Sequence, residues 1–127
     1  MDIKITNPIN IMLDVVELDA HLPSLKFSIT IRVRKFNYTS ETQAQLWIEC
    51  QCFDNFIENM QKGEAAVLKD MNNLFELRVD STECCLEWSC TREDLDGNVA
   101  SSQGKEKLTH QAMRMLYDAF NNYPRWW

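Results

Sequence analysis

The sequence predicts an α+β domain in which a meandering antiparallel β-sheet of about five to six strands carries two helices on one face. Residues 25–36 alternate between apolar and polar side chains, as a half-buried strand does. Residues 53–60 and 108–123 instead repeat their apolar side chains at helical spacing. The order is strands, helix, strands, helix, within 127 residues that suit a single domain, 1–127, without an internal repeat.

Three strands are predicted before the first helix. Residues 9–19 are rich in β-branched side chains and have apolar residues at alternate positions. Residues 25–36 form the clearest strand, and the polar stretch 37–43 is predicted to be a connection. A returning strand follows at 44–49, which places Trp47 on the face opposite its apolar neighbours.

The first helix is predicted at about 50–62, where the apolar period changes from two to between three and four. Gly63 follows at the position where helices commonly end with a glycine. The apolar stripe consists of Phe53, Phe56, Ile57 and Met60.

The second half predicts three short strands, a polar segment and a final helix. Residues 92–107 are predicted to form either a weak hairpin that turns at Asp96 and Gly97 or a mobile loop. The helix at about 108–122 ends before Pro124. The strands are 64–70, 74–80 and 83–90.

Composition and charge narrow the classes of function. The formal net charge is −6, and the longest basic cluster is Arg32–Lys35, so we expect no nucleic-acid binding. No apolar run is long enough to span a bilayer, and the N-terminus lacks the features of a secretory signal. Five cysteines in such a chain predict reduced thiols in a cytoplasmic protein.

The pair Cys50 and Cys52 is the first candidate for a chemical site. A spacing of one intervening residue does not match a zinc-binding pair, and we predict that both thiols pack in the interior. The alternative is a nucleophilic thiol at the start of the helix, activated by His21 or His110.

The other cysteines and the acidic residues give no clearer site. Cys84 and Cys90 are predicted on the buried face of their strand, with Cys85 on the opposite face. Glu76 and Glu87 could meet on the open face of the sheet. No glycine-rich phosphate loop, nucleophile elbow or metal-binding motif is present, so the sequence predicts no catalytic residue, cofactor or metal, and we do not expect an enzyme.

Aromatic residues predict a contact surface for a protein partner. Trp47 and the terminal residues Tyr123, Arg125, Trp126 and Trp127 are of the types that dominate binding interfaces. The alternative is intramolecular: the tail folds back over a sheet face or a helix end, with Trp47 beneath it.

The middle of the chain resembles a pattern found in small bacterial single-domain proteins, among them immunity proteins paired with wall-associated, contact-dependent toxins. A tryptophan at a strand end is followed by an apolar helix, a glycine, an "A-x-L-x-D" segment and a further strand. The residues that carry the resemblance are Trp47, Phe53, Phe56, Met60, Gly63, Ala65 or Ala66, Leu68, Asp70 and the strand 75–79.

The resemblance implies a non-enzymatic protein that neutralises a toxin by stoichiometric binding. The acidic charge suits a basic toxin domain as the partner. Two alternatives stay open: a small thiol enzyme or hydrolase that uses Cys50 or Cys52, and a self-assembling structural protein, such as a homodimer, that pairs through Trp126 and Trp127.

Overall fold

The fold consists of two four-stranded antiparallel sheets, each followed by a helix, in a computed structural model that describes residues 2–127. Each sheet is a simple meander, so the order of four strands and one helix occurs twice, although the sequence itself does not repeat. The first half contains β1 (Asp2–Ile5), β2 (Asn10–Asp19), β3 (Ser24–Lys35), β4 (Tyr38–Glu49) and α1 (Cys50–Gln61). The second half contains β5 (Ala66–Lys69), β6 (Phe75–Asp80), β7 (Cys85–Glu93), β8 (Val99–Lys107) and α2 (His110–Asn121).

The α+β class is confirmed, but the number of strands and their arrangement in one sheet are wrong. Eight strands form within residues 2–127, and they divide at α1 into two sheets. β1 has only four residues, too few for a periodic signal. β4 begins at Tyr38, earlier than predicted, and its first half has no buried residue, so the sequence there shows no apolar alternation. β8 was ambiguous for the same reason, and the structure contains the predicted hairpin rather than a loop.

Local hydrogen bonds mark the end of α1 and the start of α2. Gly63 follows the end of α1 with a φ of +74°; its N–H bonds to the carbonyl of Met60, and Glu64 N bonds to Asn59 O. α2 begins after Thr109, whose hydroxyl accepts a hydrogen bond from Ala112 N at 3.0 Å. Neither helix within residues 2–127 is long and apolar enough to cross a membrane.

One continuous apolar core joins the two halves. Phe53 of α1 stacks on Phe27 of β3, with ring centroids 6.2 Å apart and planes 10° apart. Phe120 of α2 meets Phe56 of α1 edge-on at 4.9 Å. α2 also packs against β1, and α1 against β5, so the helices bridge the two sheets instead of covering one face of a single sheet.

The two sheets also contact each other directly through β4 and β8. Thr42 Oγ1 and Ser102 Oγ are 2.8 Å apart, and Lys35 Nζ lies 2.6 Å from the carboxylate of Glu106. Glu106 is the more buried partner of that ion pair. The C-terminal end of β8 therefore lies beside the turn that joins β3 to β4.

The start of β7 differs from the prediction. Cys84 precedes the strand, in a turn where its φ is +53°, and its thiol donates to Ser81 O at 3.4 Å. It is half-buried and does not occupy the core position that the sequence predicted. Cys90 does lie in the core, on the same face as Trp88.

Candidate interaction surface at the C-terminal segment

The C-terminal segment, residues 123–127, folds back from α2 onto the first turn of α1. Tyr123 packs against Phe27 and Phe53, with ring centroids 6.5 and 5.7 Å away. Trp127 meets Phe53 edge-on at 5.7 Å. Two of the predicted binding residues are therefore partly buried against the core, as the intramolecular alternative expected.

Asp54 holds this segment in place. Its Oδ2 accepts a hydrogen bond from Trp127 Nε1 at 2.8 Å, and its Oδ1 accepts one from Arg125 Nη1 at 3.0 Å. Both oxygens of one side chain thus fix the last three residues of the chain.

Trp126 remains on the outside. Its side chain is 45% exposed, and its ring stands edge-on against Trp127 at a centroid distance of 5.5 Å. Trp127 is itself anchored by Asp54 and Phe53. The result is an indole presented to solvent on a fixed support, which we call the aromatic patch: Asp54, Arg125, Trp126 and Trp127.

Trp47 does not belong to this patch. It pairs with Lys26 on the outer face of the first sheet, whereas Tyr123 contacts Phe27 on the inner face. Trp47 is half-buried, and its carbonyl accepts a hydrogen bond from Met71 N at 2.8 Å. The structure therefore brings together four of the five predicted residues and leaves Trp47 apart from them.

Asp54 is the residue of the patch that the sequence did not single out. It lies on the polar side of α1, where charged side chains are expected simply because that side faces solvent. Its partners are 71 and 73 positions away, so no local spacing could have identified it.

Three of the five thiols are buried: those of Cys50, Cys85 and Cys90. Cys50 is buried, and the desolvation of its thiol, reinforced by the nearby charge of Asp54, raises its pKa to about 11. A raised pKa removes the thiolate that a nucleophile requires. Burial likewise raises the pKa of the Cys85 and Cys90 thiols.

Cys52 covers an edge of the second sheet. Its Sγ lies 3.5 Å from Lys69 N and 3.7 Å from Lys69 O, at the outer edge of β5. The adjoining cavity, about 210 Å³ in volume, is lined by no histidine. His110 lines a different cleft, between the two helices, and His21 lies exposed in the β2–β3 turn, where its N–H bonds to Asp19.

The acidic candidates lie on the outer face of the second sheet. Glu76 and Glu87 line a shallow depression of about 500 Å³, but they are diagonal neighbours, paired with Ser89 and Arg78. Glu87 is also 3.3 Å from Lys105 Nζ. Within residues 2–127, no cluster of three or more His, Cys, Asp or Glu side chains is placed to hold a metal ion.

The polar segment after β7 is a hairpin turn built on Asp94. Its carboxylate accepts hydrogen bonds from the N–H groups of Asp96 and Asn98 at 2.9 and 2.8 Å. The bonds from Asn98, first from its backbone and then from its side chain, hold the pKa of Asp94 below its usual value. Gly97 supplies the positive φ of +82°. The carboxylate is thus used by the turn itself.

No protein-family model, curated protein or solved structure matches the chain. The resemblance to immunity proteins is therefore an inference from the sequence pattern.

Proposed function

We propose that this chain is a protein-binding module that acts by stoichiometric, non-enzymatic contact, and that the aromatic patch is its contact surface. The observation that carries the proposal is the position of Trp126, an exposed indole on a rigid base of Trp127 and Asp54. In its most specific form, the proposal is that the chain is a cytoplasmic immunity protein of a bacterium.

Rigidity is what makes Trp126 a useful anchor. Association costs free energy partly because side chains at the interface lose rotational freedom. A tryptophan that already rests on a fixed neighbour has less freedom to lose, and tryptophan and arginine are the residues that most often dominate binding energy. Arg125, which contacts Asp54, lies next to Trp126 in the chain.

The charge of the chain suggests the chemistry of the partner. A net charge of −6 attracts a basic surface and accelerates its encounter with the chain. A basic toxin domain, such as a nuclease, fits both this charge and the resemblance in the sequence. Blocking such a domain requires only occupancy of its surface, which suits a chain whose buried thiols are not activated.

The proposal expects a toxin gene next to the gene for this chain, and a neighbourhood without one would contradict the immunity-protein version. In the test, the toxin domain encoded there is purified and titrated with the chain by calorimetry. We expect a one-to-one complex in which Trp126→Ala weakens binding by at least 2 kcal/mol, about thirtyfold. Met115→Ala is the matched control, because Met115 on α2 is 46% exposed and is also large and apolar. Equal affinities for the two variants would contradict the assignment of the patch, and protection of cells by catalytic amounts of the chain would contradict non-enzymatic action.

A further inference from the structure

The outer edge of β8 is a long row of backbone groups with no partner inside the molecule. Leu108 N bonds to Cys84 O, which shows that even-numbered residues here direct their backbone groups toward β7. Odd-numbered residues of β8 therefore direct their N–H and C=O groups outward. No described hydrogen bond reaches these groups, and all five residues are exposed: Val99, Ser101, Gln103, Lys105 and Lys107.

The other sheet edges are shorter or partly covered. Cys52 closes the outer edge of β5 through Lys69. The second half of the β4 edge is covered: Gln45 O accepts a bond from the Arg92 side chain, and Trp47 O accepts one from a backbone N–H. β1 has four residues and packs against α2. Among the described edge strands, β8 is open over its whole length of nine residues, and such edges readily pair with another strand.

We infer that β8 pairs with β8 of a second copy of this chain, antiparallel about a two-fold axis at Gln103, to form a continuous eight-stranded sheet. In this register Lys107 faces Val99 of the second copy, and Lys105 faces Ser101. All five outward residues are then hydrogen-bonded, and no two like charges stand directly opposite each other. The two Gln103 side chains meet at the axis, where their amides can bond reciprocally.

Exposed apolar side chains at both ends of β8 support an antiparallel second copy. The contact between Lys35 and Glu106 places the β3–β4 turn, with Phe36 95% exposed at its tip, beside the C-terminal end of β8. The β7–β8 turn, with Leu95 fully exposed, extends from the N-terminal end. Antiparallel pairing brings the C-terminal end of one β8 to the N-terminal end of the other. Phe36 of each copy then lies at the same end of the pair as Leu95 of the other copy. Contact between these two side chains would remove apolar surface from water.

The first experiment measures the mass of the chain in solution by light scattering at concentrations up to about 200 µM. We expect a species of twice the 14.9 kDa chain mass. Gln103→Pro should raise the dimer dissociation constant at least tenfold, yet should fold, because the N–H that proline lacks points away from β7. Gln43→Pro, at an outward position of β4, is the matched control and should still dimerise.

The second experiment tests the register by oxidative crosslinking. Facing residues of a hydrogen-bonded antiparallel pair have Cα atoms about 5.5 Å apart, which a disulfide can span. Gln103→Cys should therefore form a covalent dimer, whereas Ser101→Cys should not, because its symmetry mate lies about 13 Å away along the strand. The unsubstituted chain, with its five free thiols, gives the background.

Three results would overturn the inference. The first is a monomer at the highest concentration, which would also be the outcome if this edge served only a strand from a different protein. The second is a dimer that Gln103→Pro leaves intact. The third is equal crosslinking of the two cysteine variants.

Discussion

Trp127 Nε1 donates a hydrogen bond to Asp54 Oδ2 at 2.8 Å and so joins the C-terminus to the N-terminal half of α1, 73 positions earlier. The same carboxylate binds Arg125, so one acidic side chain determines where the whole C-terminal segment lies. The exposure of Trp126 depends on this bond, because Trp127 is the ring against which Trp126 rests.

Replacing Asp54 with alanine should release the C-terminal segment. We expect a loss of about 1–2 kcal/mol in the free energy of unfolding, mostly from the half-buried indole hydrogen bond, since an exposed ion pair adds little. Urea denaturation measures it. Asp118→Asn, which removes an exposed carboxylate with no described side-chain bond, should change stability by less than about 0.5 kcal/mol. Equal stabilities of the two variants would show that Asp54 does not hold the segment.

Gly104 is required by the indole of Trp88. A Cβ at position 104 would lie 2.5 Å from Trp88 Nε1 and 2.7 Å from Trp88 Cε2, closer than non-bonded atoms approach in proteins. Gly104→Ala should therefore cost about 1–3 kcal/mol through overpacking, measured by urea denaturation. In a Trp88→Phe background the clashing ring atoms are absent, and the extra cost of the alanine should disappear. Additive effects of the two substitutions would contradict this explanation.

The buried thiol of Cys50 should make stability fall in alkaline solution. Its pKa in the folded chain is about 11, raised from 9.0, so the unfolded chain loses this proton first as the pH rises. The stabilisation is complete below pH 9 and is lost between pH 9 and about 11, by up to about 2–3 kcal/mol. Cys50→Ala should lower stability at pH 7.5 but show a shallower decline toward pH 10.5. Parallel pH profiles for the two proteins would contradict a buried, protonated thiol.

The elements that the sequence predicted well are those with one buried face and one solvent-exposed face. β3 and α1 have this division along their whole length, because each lies between the core and solvent. β1, the start of β4 and β8 lie at sheet edges, where hydrogen bonding rather than an apolar stripe defines the strand. The way the two sheets pack against each other depends on contacts such as Lys35 with Glu106, separated by 71 positions, which no local pattern reveals.

The aromatic patch, too, could be predicted from the sequence only in part. Residue type alone selected Trp126 and Arg125, because these side chains recur in interfaces. The support that makes Trp126 a fixed anchor comes from Asp54, whose part in the patch exists only after α1 and the C-terminus have met. Cys52 is similar: the sequence predicted an interior thiol, with a reactive one as the alternative, whereas the fold leaves it half-buried against a strand edge.

Cys52 should protect the outer edge of β5 from exchange with water. Lys69 N, which points away from β6, has the Cys52 sulfur 3.5 Å away as its partner. Cys52→Ala removes that partner and exposes the edge, so hydrogen exchange of the Lys69 amide should accelerate at least tenfold, by local opening rather than global unfolding. Cys52→Ser retains a hydrogen-bonding group and should preserve much of the protection. The Leu68 amide, which faces β6, is the internal control and should be unaffected. Unchanged exchange at Lys69 in the alanine variant would show that the thiol does not cover this edge.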